Sequence, residues 1–242
     1  MLLWLARDNR PTLLVRCGRY AIHVSFALLA QSTRADDKQA IRAAVVDALR
    51  DPDLTRVIVE PRVGERIAPN TADEADLYLA QVVAALMLAE RLDVEVAYVP
   101  AEATRATKHL RLPSGPRARE LGEEGAALAT PLIRDDAATV LMGRARHLGA
   151  EGAKLHGETY VDDQRIFTGE VRGILIETTV EEPGLRAQIE RPLIPGRWHV
   201  GRAVQTGGTN LVVEREGVVT ERVVKRSTLY RNDVDLKIVR SA

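Results

Sequence analysis

The sequence predicts an α/β lobe with a mostly parallel sheet, followed by an all-β lobe of sandwich or barrel-like form. Three observations carry this expectation. As far as Pro113, apolar runs at helical spacing alternate with short β-branched runs, the pattern of helices layered on a parallel sheet. After Gly125 the period changes to short β-branched segments separated by turn residues, as in sandwiches and barrels. A hydrophobic content of 45% over 242 residues is enough for one large core or two small ones. The expected division is residues 1–113 for the α/β lobe, 114–124 for a linker and 125–242 for the all-β lobe.

Thr12 to Val24 alternates as one strand, or as a hairpin bending at Cys17-Gly18. Ser25 to Gln31 reads as a short helix or the end of that strand. Asp36 to Leu49 places Ile41, Val45, Val46, Ala48 and Leu49 at helical spacing, with Ser32 and Thr33 before it and Asp51-Pro52 after it. Arg56 to Glu60 is a short buried strand ended by Pro61, and Arg62 to Thr71 is a loop whose last residue is a candidate helix N-cap. The stretch from Leu77 to Pro113 organises the rest: an apolar helix, the strand V-E-V-A-Y-V, a break at Pro100, and a second helix. In α/β folds a turn at the carboxyl end of a strand is where a ligand usually sits. Ser114-Gly115-Pro116 is punctuation, and Arg117 to Glu124 is a short polar helix or linker. Beyond it, strands from Thr130–Ile133 to Asp235–Val239 are separated by turns at Asp135-Asp136, Asp162-Asp163, Pro183-Gly184, Pro195-Gly196, Gly207-Gly208 and Glu216-Gly217.

Lys+Arg and Asp+Glu both number 34, so no net charge draws the chain to nucleic acid, and none is expected as a partner. The single Cys17 excludes an internal disulfide framework and fits a reducing cytoplasm, the expected location. Met1 to Leu5 is apolar, but Arg7, Asp8 and Arg10 follow at once, so no signal-peptide core forms. The longest apolar run, Leu77 to Leu92, holds Gln81 and Glu90 and is too short and polar for a transmembrane segment. Sheet edges in the β lobe, with no helix to cover them, point to a homodimer.

The segment Val99-Pro100-Ala101-Glu102-Ala103-Thr104-Arg105-Ala106-Thr107, ending at Leu112-Pro113, resembles a motif of the diacylglycerol and sphingosine kinase family, whose fold is shared with NAD kinases. There it reads approximately V-P-x-G-T-x-N-D and closes on a later proline. Gly125 to Arg144 and the strand, Glu-Gly, strand pattern of Leu211 to Val219 are also similar to that family's β lobe. The resemblance implies two lobes with a nucleotide site between them. It also implies a G-G-D-G-T loop, in which glycines let backbone N–H groups close around phosphates. Here the strand runs on as Pro61-Arg62-Val63-Gly64-Glu65-Arg66, and A-E-A-T-R-A-T replaces the second motif. The phosphate cradle of the family cannot be built from those residues.

Two sets of candidate site residues follow. Thr104, Arg105, Thr107 and Lys108 open a helix, where hydroxyls, N–H groups and cations can hold an anion; the alternative is a solvated first turn capped by Thr104. With Arg62 and Arg66 they form the expected ligand-binding set, while Glu60, Glu65 and Glu102 can neutralise them. Asp135 and Asp136 can supply catalytic carboxylates, or simply form a turn. Arg197, Arg202, Arg215, Arg222, Lys225, Arg226 and Arg231, interleaved with Glu214, Glu216 and Glu221, read as a solvated strand face of cross-strand ion pairs. The five histidines lack metal-site spacing. The expected function is a non-catalytic protein of lipid-kinase-like or NAD-kinase-like fold, binding a small anionic ligand or a protein partner between its lobes. The alternatives are a phosphotransferase using ATP and magnesium at an unconventional phosphate site, and a purely structural or interaction protein.

Overall fold

The computed structural model describes residues 5–7, 10–17, 20–30, 37–61, 74–192, 196–220 and 222–241, with side chains from residue 26 onward. Arg62, Arg66 and the expected cap Thr71 lie outside the described residues. The first sheet is built from β1 (Leu5–Arg7), β2 (Arg10–Cys17), β3 (Tyr20–Ala30), β4 (Leu54–Glu60) and β5 (Glu95–Tyr98), with helices α1 (Lys38–Ala48), α2 (Glu74–Leu88), α3 (Arg105–Leu110) and α4 (Pro116–Glu124). Next come β6 (Ala127–Thr130), β7 (Ile133–Asp135), β8 (Val140–Leu141), β9 (Arg144–Gly149), β10 (Leu155–Val161), β11 (Gln164–Val171), β12 (Gly173–Thr178) and β13 (Leu185–Ile189). The chain ends with β14 (His199–Gly201), β15 (Ala203–Arg215), β16 (Val218–Val219), β17 (Val224–Arg231) and β18 (Leu236–Val239).

The first sheet has the order β1-β2-β3-β4-β5-β18-β6, parallel from β3 through β18. Val57, Ile58 and Val59 are all fully buried because both faces are covered, which is why β4 reads as a continuous apolar run. Val57 and Val59 meet α1 and α2 through Ile41, Val45, Leu79 and Val83, while Ile58 meets Ala118 of α4 on the other face. Arg56 is also buried: it pairs with Glu95 and donates to the carbonyls of Gly122, Glu123 and Gly125, satisfying acceptors that the end of α4 leaves open. β2 and β3 pair antiparallel with Cys17 opposite Tyr20, the hairpin alternative.

The second sheet is antiparallel, in the order β14-β13-β12-β9-β15-β17-β7-β8, with β10, β11 and β16 attached beside β15. No α-helix follows Glu124 among the described residues. Two local expectations are corrected. Gly207-Gly208 makes no turn; β15 runs through it with an irregularity before Leu211, and the glycines admit Gly157, where an added Cβ would lie 2.0 Å from the Gly207 oxygen. Leu236–Val239, read from sequence with the second lobe, lies in the first sheet between β5 and β6. Its alternation suits either sheet, and only tertiary pairing chooses.

Helix α2 is buried almost all round, from Tyr78 to Leu86, because it lies between the first sheet and the β8 corner of the second. The core around it takes in Leu132, Val140, Met142 and Val180 as well as β4 and β5, so one apolar interior crosses the boundary between the sheets. No helix among the described residues is long and apolar enough to cross a membrane.

Candidate functional site at the seam between the sheets

Two carboxylates meet where α2 faces the β15–β16 turn. Glu216 and Gly217 both have positive φ, 45° and 79°, and form the two-residue link between Arg215 and Val218. That turn directs the Glu216 side chain inward, where Oε1 accepts from the Met142 and Gly143 N–H groups at 2.7 and 2.8 Å and Oε2 from Arg144 N–H at 3.2 Å. Asp76, in the first turn of α2, is fully buried and accepts from Tyr98 Oη at 3.0 Å and from Ala106 N–H at 3.0 Å, with Thr104 also bonded to it. A Cβ placed on Gly143 would lie 2.8 Å from Glu216 Oε2 and 3.3 Å from Asp76 Oδ2, so this glycine is the floor between the two acids.

Burial first, and then the charge of Asp76, push the Glu216 carboxyl up to about 7 against the pull of its three N–H donors. Burial raises Asp76 too, opposed by Thr104, Ala106, Tyr98 and the nearby Arg105 charge. The pair therefore keeps a proton near neutral pH. The expectation that Glu216 belongs to a solvated face of ion pairs is corrected: it is 2% exposed, and its partners are backbone amides.

Beside this pair, α3 docks on the second sheet. His109 Nδ1 lies 3.0 Å from the Gly143 oxygen and its Nε2 lies 3.5 Å from Glu177. Although burial opposes it, hydrogen bonds from His109 and Arg186 hold the Glu177 carboxyl down at about 2. Of the residues expected to bind a ligand, Thr104 and Thr107 form a reciprocal capping box, with each side chain satisfying the other's backbone N–H. Lys108 is exposed. Arg105 is half-buried near Arg144, whose guanidinium is pushed down by burial and then by Arg105. Glu60 pairs with Arg119.

On the other side of the seam an open cavity of about 440 Å³ lies between the helices and the second sheet. Lys38, Leu77 and Gln81 line it from one side, and Val213, Arg215, Arg222, Arg226 and Ser227 from the other. Asp135 and Asp136 are at its edge, so the structure separates these two acids from the α3 set, none of which lines the cavity. Asp135 is buried in its turn: Oδ1 accepts from Ala137 and Thr139 N–H groups, and Oδ2 pairs with Arg215 at 2.7 Å. Asp136 is exposed. Lys38, Arg222 and Arg226 make no ion pair among the described residues. Ser227 Oγ and Arg215 Nε are buried without a hydrogen-bond partner.

Sequence reasoning missed Asp76, Glu216, Tyr98, Lys38 and Ser227 as site residues. The Glu-Gly turn is the one local signal for Glu216, since a Glu at positive φ is uncommon and implies a side chain held by its surroundings. Further along the second sheet, His147 is fully buried and bonded to Thr206 at 2.6 Å, while His156 is exposed, so the two do not form a site together.

This two-lobed arrangement is the fold of the NAD kinases and diacylglycerol kinases. An NAD kinase from Archaeoglobus fulgidus, solved in complex with ATP, superposes with a TM-score of 0.55 at 11% identity, over 89% of this chain and 93% of that one. Two structures of a Bacillus anthracis str. Sterne protein assigned as a diacylglycerol kinase give 0.60 and 0.59 at 7% identity. They match 88% and 87% of this chain and 85% and 83% of theirs. No family model and no curated protein matches the sequence.

Proposed function

We propose that this protein is a non-catalytic member of the lipid-kinase-like and NAD-kinase-like fold, and that it holds a small anionic ligand in the cavity between its lobes. The observation that carries the reading is the set of polar groups around that cavity without partners. Among the described residues, Lys38, Arg222 and Arg226 make no ion pair, and Ser227 Oγ and Arg215 Nε have no hydrogen-bond partner. Buried polar atoms are normally satisfied, and an anion seated beside Ser227 and Arg215 would give their buried Oγ and Nε a partner, with the exposed cations at the cavity wall adding charge. Pro61-Arg62-Val63-Gly64-Glu65-Arg66 stands where the resembled family has its glycine-rich phosphate loop, which argues against phosphoryl transfer by that family's chemistry. The archaeal NAD kinase was solved with ATP, and a nucleotide phosphate is one anion of the right kind.

Calorimetry with inorganic phosphate, ATP and NAD tests the reading. Binding of at least one is expected, weakened roughly tenfold by Arg226→Ala, the loss of one charge-assisted hydrogen bond. No binding at millimolar concentration would sink it. The second reading, a phosphotransferase with ATP and magnesium, draws on one observation: a Glu216 carboxyl at about 7 is a base of suitable strength at neutral pH. Phosphoryl transfer from Mg-ATP to NAD or diacylglycerol, abolished by Glu216→Gln or Asp135→Asn, would establish that reading in place of the first.

A further inference from the structure

We infer that anion binding in the cavity between the lobes is linked to a proton shared by Asp76 and Glu216, so that the ligand is held more tightly below neutral pH than above it. This rests on the anion reading above and adds its regulation. The geometry that carries it is chain adjacency on both walls of the cavity. Leu77 and Gln81 of α2 line one wall, and Asp76 immediately precedes Leu77. Arg215 and Val218 line the other, and Glu216 with Gly217 is the link between them. Neither acid itself lines the cavity, so each acts on the anion's surroundings and makes no contact with it. The two carboxylates meet over Gly143, where one added Cβ would lie 2.8 Å from Glu216 Oε2 and 3.3 Å from Asp76 Oδ2.

The groups packed around the pair come from several elements. Glu216 accepts from the backbone N–H groups of Met142, Gly143 and Arg144, while the Arg144 guanidinium is drawn to Glu214. Asp76 is bonded to Tyr98 after β5 and to Thr104 and Ala106 at the start of α3, with the Arg105 charge nearby. His109 of α3 reaches the Gly143 oxygen and faces Glu177. While the pair shares a proton it carries one negative charge. When the proton leaves, a second charge appears next in sequence to a cavity cation, Arg215, and the repelling carboxylates strain the turn that carries Arg215 and Val218. Both effects oppose a ligand of negative charge. By reciprocity the bound anion makes the proton harder to remove.

Calorimetric titration of the whole protein with sulfate from pH 6 to 8 tests the linkage, a range that brackets the value of about 7 to which the Glu216 carboxyl is pushed. Sulfate keeps its charge over this range, whereas phosphate titrates within it. At a separation of about two side chains, one charge alters the affinity of an anion by about tenfold, so the unaltered protein should lose about tenfold in affinity as pH rises. Glu216→Gln imitates the protonated pair and should bind sulfate at every pH as the unaltered protein does at pH 6. Asp76→Asn leaves Glu216 without the second acid and should move the fall to lower pH, a shift that a purely structural change would not give; it keeps the test open if Glu216→Gln does not fold. Affinity independent of pH in the unaltered protein would overturn the linkage and leave the anion site standing. So would a fall that persists in Glu216→Gln, which would assign the proton to another group such as His109, or a fall that does not move in Asp76→Asn. Absence of sulfate binding at every pH would remove the anion site itself, and the linkage with it.

Discussion

Replacing Glu216 with Gln should change the pH dependence of stability more than stability itself. The folded carboxyl sits at about 7 against an ordinary 4.5, so between those values the folded protein keeps a proton that the unfolded chain has released. A group raised in this way contributes its full stability below 4.5, loses it as pH rises, and has lost it above 7. At about 1.4 kcal/mol per tenfold change, the loss is about 3 kcal/mol across that window. Glutamine keeps one acceptor for the Met142 and Gly143 N–H groups but places an amide opposite Arg144 N–H, which costs about 1 kcal/mol. The variant is then expected to be the less stable protein at pH 4.5 and the more stable by about 2 kcal/mol at pH 8. Urea unfolding of both proteins across this range, compared at each pH, cancels contributions from titrating groups that do not interact with Glu216, leaving those of Glu216 and its coupled neighbour Asp76. A difference between the two that stays constant with pH would refute the buried, proton-sharing pair.

Gly143→Ala places a methyl group 2.8 Å from Glu216 Oε2 and should destabilise by about 1–3 kcal/mol, read as a lower thermal midpoint, with more damage at high pH where both acids are charged. Arg56→Met removes a buried cation that binds Glu95 and three carbonyls at the end of α4. It should cost about 2 kcal/mol, Glu95 being partly exposed, with faster amide exchange at the end of that helix. His147 is held down at about 3 by burial and then by the Arg215 charge, so its contribution to stability is present above pH 6.5 and is lost as pH falls toward 3. Its ring resonances should show no titration between pH 5 and 8, and a midpoint near 6.5 would place it in water instead.

Much of the architecture was legible in the sequence, because Val57 to Val59 and the α2 run report burial on two faces through their unbroken apolar character. The site was legible only in part. Asp135-Asp136 showed its turn chemistry, and Thr104 its cap, since both are local hydrogen-bond patterns. Asp76 and Glu216 did not show themselves: each lies in an ordinary charged stretch, and what buries it is the docking of α2 against the corner at Met142 and Gly143, far away in sequence. Gly207-Gly208 misled for a related reason. Glycine marks a turn and a close backbone approach equally well, and only the presence of Gly157 decides.

β18 has a consequence for synthesis. It inserts between β5 and β6, parallel to one and antiparallel to the other, so two strands of the first sheet have no shared neighbour until the last of these residues has left the ribosome. The amino-terminal half therefore waits with open hydrogen-bonding edges on β5 and β6 while the entire second sheet is being made. Such long-range closure is slow, and exposed edges invite misassociation during the delay. A nascent chain stalled before Leu236 should engage chaperones strongly, and release of four further residues should be the event that ends the engagement.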